Sequence, residues 1–502
     1  MKFPGFSLVL AGGLLLPSMT GAVPENLYNP QLEDRESQFY AIETVPVPTN
    51  VVLEAGGMSF GADGTLVICT RRGEVWSMRG NQWKRFASGL DEPLGLLLVN
   101  SNEMIVAQRS ELTRLIDTNG DGVADRFETI ADSWNYTGHQ YEFTFGPVRD
   151  HEGNLFCALT CWFFPTKYYE TPPYIGWELE PPAGYTPNTH PRWRGWCFEI
   201  TPEGKFVPWA SGFRSPNGLV MSPEGDLLIM ENQGEYIGSD QLYHVHRGDF
   251  IGQPASMFWG PGAVTDPFAI PLEQLDARRS QPILIFPYDL MGRSASQPVF
   301  DLTGGKFGPF AGQMLVGDVS QSRIMRATLQ KVDGEYQGAC YPFRRGFASG
   351  CNRAVFAQDG SLWVGETARG WGSVGGTPWA LQRLVWKGNV PFELEKMELT
   401  PSGFDLTFTQ PVDAGAAAAP GAYSLKHYYY KYDKVYFAPI EGMGDDEVSG
   451  VKISADARIV SIQLPGLITN RIYQLNLTGL KSKSGEELLH SSAYYTLNRL
   501  VH

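Results

Sequence analysis

The chain is short of base. Of its 502 residues, 40 are Lys or Arg against 54 Asp or Glu, a formal net charge of −14. That excludes a nucleic-acid binder, whose phosphate partners need a positive surface. The basic residues are also scattered, so no polybasic stripe for an anionic membrane is present. Long apolar runs are missing beyond the N-terminus, and no other stretch could span a bilayer. Cysteine is sparse: six residues, with neither a CxxC metal pair nor a CxxCH haem site. Helical periodicity never holds for more than a few residues, which predicts almost no helix.

What is present begins with "MKFPGFSLVLAGGLLLPSMTGAVPENL". One Lys, a short apolar run and then small residues follow the order of a signal peptide, 1–22. The expected mature protein is exported, periplasmic or secreted, with no integral membrane span after cleavage. Export makes disulfides plausible. Cys340 and Cys351 bracket a short Gly- and Arg-rich loop and are the expected pair, with Cys157 to Cys161 or Cys197 as a second.

The chain also repeats itself. An apolar-alternating strand, an Asp or Glu with Gly, and a second strand recur in "GGMSFGADGTLVICTRRGEVWSM" from 56, "EPLGLLLVNSNEMIVAQRSELTRLI" from 92 and "YEFTFGPVRDHEGNLFCALTC" from 141. They return in "PNGLVMSPEGDLLIMENQGE" from 216, a diverged "GGKFGPFAGQMLVGDVSQSRIMRATL" from 304 and "NRAVFAQDGSLWVGETARG" from 352. Each copy reads as two strands joined by a tight Gly turn. Six such units, with further short strands after most, predict an all-β fold: a six-bladed β-propeller over 51–388, preceded by an extension at 23–50. From 389 to 502 the Asp-Gly phrase is gone and short alternating strands remain. That predicts a C-terminal β-sandwich of Ig or fibronectin type.

In a propeller, the residues heading the inner strands converge on one channel mouth. "TGHQYEFTFGP" places His139 ahead of the third inner strand. "GFRSPNGL" places Arg214 and Asn217 ahead of the fourth, and "GCNRAVF" places Asn352 and Arg353 at the sixth. Histidine can take a proton near neutral pH, and arginine can clamp carboxylates in a planar fork. The set suits binding of an anionic group and proton removal from a sugar-like alcohol.

Two segments read as cation sites. "DTNGDGVADRFE" has EF-hand ligand spacing: Asp117, Asn119, Asp121, the Val123 carbonyl, Asp125 and Glu128, with Gly122 at the sharp turn. Strand rather than helix precedes it, so Ca²⁺ there is expected to brace a loop of the second blade. "MENQGEYIGSDQLYHV" crowds Glu231, Asn232, Gln233, Glu235 and Asp240 around Gly234, oxygens a hard cation accepts. His244 and His246 share a strand face; with no third ligand readable, packing is the expectation for them.

The phrases "GHQ", "GFRSPNGL…ENQG" and "NRAVFAQDG…LWVGET" together resemble the glucose/sorbosone dehydrogenase superfamily of six-bladed propellers. "DTNGDGVADRFE", "NQGEYIGSDQLYHV" and the terminal "YTLN" are most similar to its secreted branch in planctomycetes and verrucomicrobia. The resemblance covers most of 50–500 and implies pyrroloquinoline quinone (PQQ) and Ca²⁺ as cofactors for sugar oxidation. His139 would be the catalytic base, with hydride passing to the quinone. Arg214 would be a clamping and catalytic residue, and Asn217, Asn352 and Arg353 cofactor contacts. Gly234 would lie in the segment whose carbonyls hold the cofactor calcium. The chain departs from the pattern at Ser215, Ser320 and Cys351, where the family carries Asn, Lys and Arg. An external electron acceptor such as a cytochrome c is implied. Two other readings stay open: a calcium-dependent lactonase, hydrolase or lyase acting on carbohydrate, and a non-catalytic carbohydrate-binding propeller.

Overall fold

A computed structural model describes residues 30–136, 141–161, 191–370, 372–436 and 438–501. The expected signal peptide, 1–22, and His139 lie outside the described residues. No described helix is long and apolar enough to cross a membrane.

Six antiparallel four-stranded units follow one another along the chain, each beginning with its innermost strand. Those innermost strands are Ala55–Phe60, Leu96–Asn100, Thr144–Arg149, Gly218–Met221, Ala295–Phe300 and Cys351–Phe356. Each packs against the next, and the sixth packs against the first, so they ring one axis. The sixth unit borrows its outer strand from the chain start: Tyr40–Thr44 pairs with Leu381–Trp386. This is a six-bladed propeller tied shut by its own N-terminus.

The Asp-Gly phrase makes the hairpins between first and second strands. In blade 1 Gly64 adopts φ +80°, and the Asp63 carboxylate accepts the Thr65 N–H at 3.0 Å. Blade 6 repeats this with Gly360 at φ +90° and Asp359 accepting from Ser361 at 2.9 Å. A side chain at either glycine would meet the left-handed penalty. Blade 5 departs from the sequence reading. Its inner strand, Ala295–Phe300, lies upstream of the diverged phrase from 304, which supplies the connection and the second strand Met314–Asp318.

Beyond 388 two sheets face each other. One orders its strands Leu394–Thr400, Gly403–Phe408, Ile459–Gln463, Gly450–Ile453. The other holds Ser492–Leu497, Arg471–Leu477, Tyr423–Tyr430 and Ile440–Asp446. Phe404, Leu406, Val460, Tyr473, Leu475 and Tyr495 fill the space between them, each at most 1 % exposed. The second sheet does not end at the sandwich. Ser492–Leu497 pairs with Glu335–Arg345, the outermost strand of blade 5, making one eight-stranded sheet. His490 reinforces this seam by bridging Glu393 (2.7 Å) and Glu36 of the helix Pro30–Ser37 (3.0 Å).

The expected disulfides are not formed: all six cysteines are free and buried. Cys340 lies in the strand shared with the sandwich, its Sγ against the Ile285 carbonyl, whereas Cys351 heads an inner strand in a different core. Cys157, Cys161 and Cys197 also belong to three separate apolar clusters. The pleat sends Cys157 and Cys197, on paired strands, to opposite faces.

Candidate functional site at the channel mouth

The channel mouth lies where inner strands begin and second strands end. In five blades the residue closing the second strand accepts an N–H from the loop entering the inner strand. Gln108 takes Asp91 N–H (2.5 Å), Thr160 takes Phe143 N–H (2.6 Å) and Glu231 takes Ser215 N–H. Asp318 takes Ser294 N–H (3.1 Å) and Glu366 takes Ser349 N–H (2.5 Å). These acceptors satisfy buried backbone donors that the turning chain leaves orphaned. The sequence reading followed inner-strand starts and, apart from Glu231 as a cation ligand, missed them, although a polar residue after each apolar second strand was the available signal. Burial pushes Glu231 and Glu366 up to about 8 and Asp240 up to about 7, the last with help from the neighbouring Asp318 charge.

Arg353 sits on the axis, 3 % exposed. Its Nε donates to Gly56 O (2.7 Å), Nη2 to Leu94 O (2.9 Å) and Nη1 to Asn352 O (2.7 Å) and Asn217 Oδ1 (3.1 Å). Its guanidinium also lies 5.6 Å from the centre of the Phe145 ring. Asn352 donates from Nδ2 to Ala55 O (2.7 Å). One arginine and two asparagines thus join blades 1, 2, 3, 4 and 6. Desolvation lowers the Arg353 pKa to about 10.

Arg214 is likewise committed inward. Nε pairs with Glu235 (2.9 Å), Nη1 donates to Gln233 O (3.1 Å), and the Tyr436 ring centre lies 5.2 Å from Cζ. Burial alone would lower its pKa; Glu235 and Tyr436 outweigh that and hold it above the ordinary arginine value. Gly234 is required by this packing, since a Cβ there would stand 2.0 Å from Arg214 Nε. Tyr436 comes from the sandwich, whose segment 431–436 lies over blade 4. Gln233 Nε2 donates to Tyr436 OH (3.1 Å) and Tyr236 N–H to Asp433 O (2.9 Å). Sequence reasoning had no signal for a site residue from the second sheet system.

Around this centre the mouth forms a pocket lined by Asn217, Asn232, Ser294, Thr367, Arg71 and Arg369 among others. Its two arginines belong to a wider ion-pair network. Glu92 pairs with Arg71 (2.6 Å), Arg109 and Arg369 (3.2 Å); Glu54 pairs with Arg72 (2.8 Å) and Arg369 (3.3 Å). A cavity of about 680 Å³ lies elsewhere, beside the sandwich seam, and is lined by Arg279, Tyr429, Tyr432 and Arg471 among others.

A quinone bearing three carboxylates does not fit the described residues. Arg214 and Arg353, which the resemblance assigns to it, hold internal partners, and position 320 is serine rather than lysine.

The loop 117–128 connects Leu112–Ile116 to Arg126–Ala131 in blade 2, two strands rather than two helices. Asp117 accepts N–H groups of Gly120 (2.8 Å) and Gly122 (2.7 Å), Asn119 that of Asp121 (2.8 Å), and Asp121 that of Val123 (2.9 Å). The first half is therefore coiled as a calcium loop requires. Asp125 instead holds Thr118 Oγ1 (2.8 Å), and Glu128 pairs with Arg126 (2.7 Å) inside a strand. The donor set suits Ca²⁺, and its last two carboxylates would have to turn inward to complete the shell.

No protein-family model and no curated protein sequence matches the chain. Solved structures do. They include an oxidoreductase (glucose dehydrogenase) from Thermus thermophilus, at 19% identity and TM-score 0.48, covering 69% of this chain and 100% of that one. The PQQ-bound aldose sugar dehydrogenase of Streptomyces coelicolor matches at 13% and 0.45, covering 69% and 98%. The soluble aldose sugar dehydrogenase of Escherichia coli in its apo form matches at 15% and 0.48, covering 69% and 100%. At these identities the likeness is one of fold.

Proposed function

We propose that the protein takes a carbohydrate at the channel mouth, on a propeller of sugar-dehydrogenase build. The lining carries this reading: Asn217, Asn232, Ser294 and Thr367 offer amide and hydroxyl groups beside the Arg71–Glu92–Arg369 network. Such groups pair with the alternating donors and acceptors of a sugar, and the paired Arg71 and Arg369 favour a polar ring over an apolar one. Export to the periplasm or beyond and calcium in the loop 117–128 belong to the same proposal.

A second reading, sugar oxidation with His139 as general base and an external acceptor such as a cytochrome c, is favoured by the "GHQ" and "GFRSPNGL" phrases. No step through the quinone is derived, because the described residues do not fit it. Titration of the purified protein with an aldose panel, alone and with PQQ plus Ca²⁺, separates the two. Calorimetric sugar binding without any shift of the quinone absorbance supports the first. Dye reduction that His139→Ala lowers about 100-fold supports the second, that being the scale of a positioned proton acceptor. Loss of both sugar binding and dye reduction would leave neither standing.

A further inference from the structure

The end of the propeller opposite the mouth carries a cluster that sugar chemistry does not use. His244 closes the strand Asp240–His244 and His246 lies two residues on, so both side chains leave the same face; their ring centres are 4.0 Å apart. The third member comes from blade 5. Strands Arg323–Val332 and Glu335–Arg345 are joined through Asp333 and Gly334, at φ 51° and 83°, a two-residue turn that returns the chain at once. It delivers Glu335 to the histidines, so that one ligand atom each from His244, His246 and Glu335 lie within 4.8 Å of one another.

Each imidazole also has a carboxylate on its other side. His244 Nε2 lies 3.5 Å from Asp226 Oδ1, and His246 Nδ1 lies 3.7 Å from Asp249 Oδ2. A carboxylate on that side is placed to orient a ligating histidine once it closes to hydrogen-bond distance. It leaves His244 Nδ1 and His246 Nε2 for a ligand. His244 Nδ1 is buried and has no hydrogen-bond partner among the described residues. Asp226 is itself held by the Tyr336 hydroxyl at 2.8 Å.

We infer that His244, His246 and Glu335 form a site for a borderline divalent cation such as Zn²⁺, clasping blade 4 to blade 5. Two nitrogens and one carboxylate favour Zn²⁺ over Ca²⁺ or Mg²⁺, which take oxygen. Three protein ligands leave a fourth tetrahedral position to water. The sequence showed His-x-His but hid the carboxylate, which lies in another blade.

The test uses tag-free, full-length protein stripped with chelator, reloaded with Zn²⁺ and gel-filtered, with retained metal measured by mass spectrometry. The expected result is one Zn²⁺ per chain and, on Co²⁺ substitution, tetrahedral visible bands. His246→Ala, at an exposed position that folding tolerates, and Glu335→Gln should each abolish the bands. Asp226→Asn should weaken binding by about 10-fold or more, as loss of an orienting carboxylate does. Asp121→Ala should leave zinc unchanged. Failure of the wild type to retain zinc, or equal retention by His246→Ala and Glu335→Gln, would overturn the assignment.

Discussion

At the scale of the residue, the axis of this propeller is held by one guanidinium. Arg353 donates to carbonyls of three other blades' loops or strands. Removing it strands Gly56 O and Leu94 O in the interior at about 1–3 kcal/mol each. Arg353→Met should therefore lower stability by roughly 3–5 kcal/mol, read by denaturant titration; unchanged stability with lost ligand affinity would return Arg353 to a binding role. Glu366 gives a pH prediction. Its folded pKa, about 8, is raised above the ordinary 4.5, so its contribution is full below that lower value and is lost as pH rises to about 8. Glu366→Gln keeps a neutral acceptor for Ser349 N–H. Its melting temperature should fall less than the wild type's over that window, and parallel curves would contradict the assignment.

At the scale of the element, sequence and structure agree where a local rule decides. The Asp-Gly turns of blades 1 and 6 need a left-handed residue and a capping carboxylate, and both are visible in four consecutive letters. They part where position depends on distant chain. The inner strand of blade 5, "ASQPVF", was hidden because its connection to the next strand is long and the familiar phrase begins after it. Tyr436 over Arg214 and Glu335 beside His244 come from other sheets or blades, so no spacing could announce them. Arg214, Asn217, Asn352 and Arg353 were readable by position near the inner-strand starts, whereas the partners that hold Asn352 and Arg353 come from other blades. The calcium loop remains a local feature. Calorimetry should show a calcium-dependent rise in melting temperature that Asp121→Ala removes; the same rise in both proteins would place the ion elsewhere.

At the scale of the whole molecule, the sandwich is joined to the propeller by backbone pairing between Gly338–Cys340 and 494–496, and by Arg326 donating to Leu394 O at 2.8 Å. Cutting the chain after Lys387 would expose the edge of a long apolar strand. Such a protein should melt lower than the full chain and associate on gel filtration; a monomer with an unchanged melting curve would make the two parts independent. Whether the channel mouth takes carbohydrate is decided by a crystal structure of the full chain soaked with the best-binding aldose. Sugar density is expected against Asn232, Thr367 and Arg369; sugar in the cleft lined by Tyr429 and Tyr432, with none at the mouth, would overturn a carbohydrate site there.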